Sequence, residues 1–270
     1  MVAIDGKTLR RSYDKANNKA AIHMVSAWAT NSGIVLGQIK TEEKSNEITA
    51  IPNLLKLLEI SGCIVTIDAM GCQKSIAKEI RQQDADYVLA LKGNQGSFHE
   101  DVKLFLDTAR KNNFEEMSGD YYETLDADHG RIEIRRYWIT TNIEWLEQKE
   151  QWPDLRSIGV AESERQIGDQ VTVERRYFIS SLENNAKQFG SAVRKHWGIE
   201  NCLHWTLDVA FREDENRVRK GGAPENMAML RHIALNLLKR ETTLKRGIRT
   251  KRLKAGWDES YLLKVLGIAS

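Results

Sequence analysis

Residues 63–68 read Cys-Ile-Val-Thr-Ile-Asp, an unbroken, largely β-branched run that ends in a carboxylate. Alternating polarity marks a strand with one wet face. A continuous apolar run marks a strand covered on both faces, the habit of parallel or mixed sheets packed between helices. This run therefore asks for a layered α/β fold, and its neighbours agree. Val2–Asp5 is a short apolar run. Ile22–Thr30 and Gly33–Thr41 are strand-like and joined by Thr30-Asn31-Ser32-Gly33, which is hairpin chemistry. From Asn46 to Ile60, apolar residues at Ile48, Ile51, Leu54, Leu55 and Leu58 keep a helical period, which Ser61-Gly62 stops. A helix from Gln73 to about Gln83 and a strand Tyr87–Leu91 complete the order β-β-β-α-β-α-β, a mixed sheet with right-handed crossovers.

Lys92-Gly93-Asn94-Gln95-Gly96 breaks the pattern, and a helix is expected from Ser97 to about Lys111. Between Asp120 and Leu182 the texture changes to strand-like Arg131–Thr141, Ser157–Arg165 and Val171–Ser181. This stretch reads as a β-rich insertion, because the first sheet still lacks its closing helices. From Asn185 the chain turns helical, with segments to about Phe211, from Pro224 to Arg240, and near the end. The expected organisation is one domain over 1–270. Its core is 1–119 and 183–240, its insertion 120–182, and its basic tail 241–270. Only Pro52, Pro153 and Pro224 occur, so no Pro-rich linker divides the chain.

Length and composition narrow the classes. A chain of 270 residues buries enough apolar surface to fold without disulfides. With 41% hydrophobic and 29% charged residues it is neither a disordered polymer nor a fibre. Uncharged apolar runs such as Ala21–Ala29 fall far short of the ~20 residues that span a bilayer, and no secretory leader opens the chain. The expectation is a soluble, cytoplasmic protein with no membrane partner. Cys63, Cys72 and Cys202 are odd in number and form no Cys-x-x-Cys pair, against a disulfide framework or a thiolate zinc site. Net charge is only +2, yet residues 239–254 hold eight bases against one acid, or +7. Arg217, Arg219 and Lys220 lie just upstream. Such clustering suits a polyanion partner or a solvated helix face.

Asp5 and Asp68 end or interrupt apolar strands, where a carboxylate needs a partner, a hydrogen bond or a cation. On adjacent strands they would stand ~4.8 Å apart, close enough to share a hard divalent ion. Alone, each is a turn or helix cap. Residues 194–208 are richer: His196, Glu200, His204 and Asp208 recur every fourth position, opposite Trp197, Ile199, Leu203 and Leu207. That face is a site wall, a salt-bridged surface, or a zinc site of His196, Glu200 and His204. Oxygen ligands Asp5, Asp68 and Glu200 instead call for magnesium or manganese.

The stretches AIDGKTLR, KSNEITAIPNLL, IVTIDAMGCQ, DYVLALKGNQ, HGRIEIRRYW and HWGIENCLHWTLDVAFRED span nearly the whole chain. They resemble bacterial insertion-sequence DDE transposases of the H-repeat-associated type, which have a ribonuclease-H-like core. The resemblance implies a five-stranded mixed sheet flanked by helices, with the insertion preceding the Glu-bearing helix. It implies Asp5, Asp68 and Glu200 as catalytic and metal-binding residues, with two Mg2+ or Mn2+ ions ~3.5–4 Å apart activating a water or 3′-hydroxyl. Asn201, His204, Asp208 and His196 would support them. Lys7, Arg10, Lys92, Arg194, Lys195, Arg217, Arg219 and Lys220 are the candidate DNA phosphate contacts. The implied partners are transposon-end and target DNA and, for a homodimer, a second copy of the chain. The implied place is the nucleoid. Many DDE families set a Tyr seven residues before the Glu, an Arg four before and a Lys seven after. Val193, His196 and Leu207 occupy those positions here, so that signature does not carry over. Longer members also have a helical N-terminal domain, which the resemblance implies is missing. No protein nucleophile is expected, since neither Ser45 nor Cys72 has an evident base. Three readings stay open: an active strand transferase or nuclease, an idle DNA-binding remnant of a mobile element, and a zinc hydrolase.

Overall fold

The computed structural model describes every residue except 18, 43–45, 113, 116–117, 129 and 269–270, together with the side chain of Ala16. Ser45 thus lies outside the described residues. The elements run β1 (Val2–Thr8), β2 (His23–Ala29), β3 (Ile34–Lys40), α1 (Glu47–Leu55), β4 (Ile64–Ile67), α2 (Lys74–Gln82), β5 (Asp86–Leu91) and α3 (Ser97–Lys111). There follow β6 (Gly119–Asp128), β7 (Arg131–Thr140), β8 (Ser157–Ile167), β9 (Gln170–Ser180), α4 (Ala186–Gly198) and α5 (Trp205–Phe211). The last are α6 (Ala223–Arg240), α7 (Ile248–Trp257) and α8 (Glu259–Leu266). A π-helical turn, Ile199–His204, joins α4 to α5. The chain divides into two compact units, Met1 with Glu59–His196 and Val2–Leu58 with Trp197–Ser270.

The unit built on Glu59–His196 carries a mixed sheet in the order β4-β5-β9-β8-β7-β6. β4 and β5 are parallel, with Ile64 opposite Asp86, while β9 joins β5 antiparallel, with Val88 opposite Ser180. The run at 63–67 is buried at Val65, Thr66 and Ile67, as its continuous apolar pattern requires. The strands of the expected insertion extend this sheet instead of standing beside it. The link is the β5–β9 ladder, backed by Ser180 Oγ donating to the Tyr87 carbonyl at 2.7 Å. Phe189 of α4 plugs the sheet, edge-on to Phe178 and Tyr137 at centroid distances of 5.4 and 6.3 Å. Gly159 is required beneath it, since a Cβ there would meet the Phe189 ring at 2.8 Å.

The other unit carries the antiparallel order β3-β2-β1. Gly33, at φ +67°, turns the β2–β3 hairpin. Asp5 does not end its strand: β1 continues through Lys7 opposite Met24 and Thr8 opposite His23. It can continue because Gly6 has no side chain, leaving room for the His23–Glu47 hydrogen bond of 2.7 Å across it. α1 stops at Leu55, short of the expected Ile60; Asn46 caps its start, and Pro52 inside it removes one backbone donor. α6 docks on the edge strand through Asn236, which accepts from Val35 N at 2.9 Å and donates to Val35 O at 2.8 Å. Ala3, Trp28, Val35, Ile199, Leu203, Leu207 and Leu235 form the core between them.

Candidate active site

Alternation along β1 puts Ala3, Asp5 and Lys7 on one side of the strand. Each meets a successive part of the segment that carries Glu200. Ala3 packs in the cluster of Ile199, Leu203 and Leu207. Asp5 shares a hydrogen bond with Glu200, and Asp5 Oδ2 stands 3.5 Å from His204 Nε2. Lys7 Nζ reaches the His204 carbonyl at 3.5 Å and is hydrogen-bonded to Asp208. Burial pushes the Glu200 carboxyl above its ordinary value, and the Asp5 charge pushes it further against the opposing pull of His204 and Lys7. Two acids crowded in this way release repulsion when a cation or proton is taken up. The His204 ring is buried, with neither nitrogen in hydrogen-bond geometry to a described group; its approach to Asp5 is one of charge distance only.

The π turn explains why fourfold spacing misleads here. In an α-helix His196, Glu200, His204 and Asp208 would drift slowly around one face. The wider turn at Ile199–His204 re-phases them, leaving Glu200 exposed, His204 buried and Asp208 on Lys7. His196 belongs to the other unit, where its Nδ1 sits 3.0 Å from Thr66 Oγ1. Asn201, next to Glu200, is exposed.

Asp68 follows β4 directly. Its Oδ1 accepts from Met70 N at 3.0 Å and Gly71 N at 3.2 Å, an Asx turn that ends the strand. The Lys92–Gly96 loop supports that turn: Asn94 Nδ2 donates to the Ala69 carbonyl at 2.8 Å and Gln95 Nε2 to the Cys72 carbonyl at 2.7 Å. The Cys72 thiol is buried, and burial followed by the Asp68 charge drives its pKa far up, so it is no nucleophile.

Among the candidate phosphate contacts, Lys92, Arg194, Lys195, Arg217 and Lys220 are exposed. Arg10 is largely exposed, with its Nε 3.2 Å from Asp214. Arg219 lies over the Tyr13 ring and donates to the Arg11 carbonyl. Lys7 differs from all of these. Its side chain is only 13% exposed and faces Asp208, Glu213 and Asp214, because β1 runs on beneath the acids that follow the π turn. It is enclosed, and so is removed from the phosphate contacts. Sequence reading missed Glu213, Asp214, Arg231 and His232, which complete this buried polar cluster; the one signal was the acid run Glu213-Asp214-Glu215. In the basic tail, Lys251 is buried and donates to the carbonyls of Leu238 and Glu241, and Lys254 pairs with Asp258. Lys239 lies 3.9 Å from the Trp28 ring centre, and burial lowers its pKa to about 8. Arg240, Lys245, Arg246 and Arg249 remain exposed.

Among the described residues no three His, Cys, Asp or Glu side chains form a metal-holding group. The local chemistry still fits a hard divalent ion. The Asp5–Glu200 pair offers oxygen donors under mutual repulsion, and magnesium fills most of its shell with water and phosphate oxygens.

The described residues thus include an acid pair, Asp5 with Glu200, and a further acid, Asp68, that follows a second apolar strand. The class of the chain comes from the comparisons. The family described as "Transposase DDE domain" matches residues 1–237. "Putative transposase YncI" of Escherichia coli O157:H7 is 46% identical over 275 residues, covering 100% of this chain and 70% of the relative. "H repeat-associated putative transposase YhhI" of Escherichia coli strain K12 is 45% identical over 274 residues, covering 98% of this chain and 71% of the relative. A solved piggyBac transposase synaptic complex with hairpin DNA aligns at TM-score 0.49 and 12% identity, covering 100% of this chain and 57% of that one. The chain belongs to the transposase DDE family. No helix among the described residues is long and apolar enough to cross a membrane.

Proposed function

We propose that the chain is a metal-dependent DNA strand transferase and nuclease on a ribonuclease-H-like core, with Asp5, Asp68 and Glu200 as its catalytic carboxylates. The observation that carries this reading is the Asp5–Glu200 pair: two acids far apart in sequence, hydrogen-bonded together in a chain of the transposase DDE family. Asp5, Asp68 and Glu200 would hold two magnesium or manganese ions, which supply an activated water or 3′-hydroxyl and offset charge on the leaving oxygen of an in-line displacement. His204 stands within charge distance of the Asp5 carboxylate, at 3.5 Å. Thr66 fixes the ring of His196 two residues before Asp68. Asn201 offers an exposed amide beside Glu200 for water or phosphate.

Arg10, Lys92, Arg194, Lys195, Arg217, Arg219 and Lys220 would position the DNA backbone, with Arg240, Lys245, Arg246 and Arg249 as an outer clamp. Such contacts read phosphate and not sequence. The substrates are transposon-end and target DNA, met at the nucleoid in the cytoplasm, with a homodimer as the assembly. The test is nicking of supercoiled plasmid in magnesium or manganese by wild type and Asp68→Asn. Wild type should nick and the variant should fall to background, while His204→Ala keeps some activity. Equal nicking by wild type and Asp68→Asn would remove Asp68 from the site.

A further inference from the structure

The Lys7 ammonium occupies what is in effect a cation site. Asp208 Oδ1 is hydrogen-bonded to it, Glu213 Oε2 lies at 3.4 Å, the His204 carbonyl at 3.5 Å and Asp214 Oδ1 at 3.9 Å. All four neighbours are oxygens and three come from carboxylates, the donor set that a hard divalent ion takes. The site is partly enclosed, with side-chain exposures of 13% for Lys7, 2% for Glu213, 25% for Asp214 and 34% for Asp208. Its outer oxygens are also held: Arg231 Nη1 is 3.4 Å from Glu213 Oε1, and Arg10 Nε is 3.2 Å from Asp214 Oδ2. Lys7 leaves β1 on the same side as Asp5, and the acids it gathers follow Glu200 along the chain.

We propose that Lys7 is a positioning residue, a tethered cation standing where a metal ion would otherwise bind. It takes Asp208, Glu213 and Asp214 out of the carboxylates open to divalent ions, and it anchors the segment after Glu200 onto β1. Asp5 and Glu200 are thereby left as the pair that takes the metal. This inference rests on the reading of Asp5 and Glu200 as metal ligands. It sets Asp208 outside the ligand set, despite its place in the fourfold series, and gives Lys7 a role in metal selection and none in DNA binding.

The experiment is isothermal titration of calcium and manganese into wild type, Lys7→Met, Asp208→Leu and Lys7→Met/Asp208→Leu. Lys7→Met should bind calcium about tenfold tighter than wild type, because ligand charge count sets affinity at such sites. The double variant should lose that gain. Asp208→Leu alone should stay within about twofold of wild type for both ions, since Asp208 is already held by Lys7. Unchanged calcium affinity in Lys7→Met, or about tenfold weaker binding in Asp208→Leu, would overturn the proposal. If Lys7→Met does not fold, Asp208→Leu decides on the same terms. A wild type that nicks DNA with metal while Lys7→Met gains no calcium affinity refutes only the role of Lys7. A gain in Lys7→Met beside a wild type that never nicks sustains the cation site and removes the catalytic reading.

Discussion

On the long hairpins of β6–β9, Arg136 and Arg175, joined by Arg110 from α3, converge on Glu162, and Arg136 also reaches Glu123 and Glu164. Around β1 in the other unit, the ratio runs the other way: Lys7 stands among Asp208, Glu213 and Asp214, and the charge of Asp5 bears on Glu200. The carboxyl groups respond oppositely. Burial pushes Glu162 up, but the Arg175 hydrogen bond and the charges of Arg110 and Arg175 outweigh it and hold the group below its ordinary range. Burial pushes Glu213 up too, and there Lys7 and Arg231 only moderate it. A sheet held by matched cross-strand pairs is scaffold, whereas a pocket with surplus acid has charge left for a cation to balance. Dense charge alone therefore says little about function; the local balance of sign, read with burial, says more.

The largest expected effect comes from breaking the buried pair. Arg231→Met leaves Glu213 buried with one cation fewer and should lower the stability of its unit by about 3–5 kcal/mol in chemical denaturation. A loss below about 1 kcal/mol, the range of exposed pairs, would erase the contrast between the two regions.

His232 gives an intermediate effect that depends on pH. Burial, followed by the charges of His204, Lys7 and Arg231, lowers its pKa from 6.5 to about 3. The folded chain keeps the ring neutral while the unfolded chain protonates it, so stability is lost as pH falls from about 6.5 toward 3. His232→Gln should flatten that acid limb by up to about 1.4 kcal/mol per pH unit. An unchanged slope would show that His232 does not titrate with folding.

The smallest effect belongs to the hairpins. Arg136→Met removes a guanidinium from a partly exposed network and should lower stability by about 0.2–1 kcal/mol, shrinking further as salt is raised. A salt-independent loss of several kcal/mol would mean that the hairpin network is as integral as the buried cluster.

How much of this was legible depends on the range of the interaction. The buried strand at 63–67, the carboxylate that closes it and the turn at Gly33 are local and were readable, because side-chain period and φ preference act within a few residues. The π turn was not. The His196, Glu200, His204 and Asp208 spacing is a perfect α-helical series, and only packing of Ile199 and Leu203 against Ala3 and Trp28 accompanies the altered phase. The surroundings of Lys7 were equally hidden, since Asp208 and Glu213 lie about two hundred positions away in the chain. The basic tail misled in part for the same reason: composition counts Lys251 as a free cation, but the fold buries it against the carbonyls that end α6. The insertion was recognised as β-rich, but the β5–β9 ladder that welds it to the sheet spans some ninety residues and leaves no local mark.

The central claim is that Asp5, Asp68 and Glu200 form one metal-dependent catalytic set. Glu200→Gln keeps the shape of the side chain and removes the charge that crowds Asp5. The decisive measurement is plasmid nicking in magnesium and manganese by wild type and Glu200→Gln, with thermal unfolding of both in metal-free buffer. Wild type should nick, and the variant should fall to background while unfolding at the same or a higher temperature, because the repulsion with Asp5 is gone. A folded Glu200→Gln that nicks DNA as fast as wild type would contradict the account.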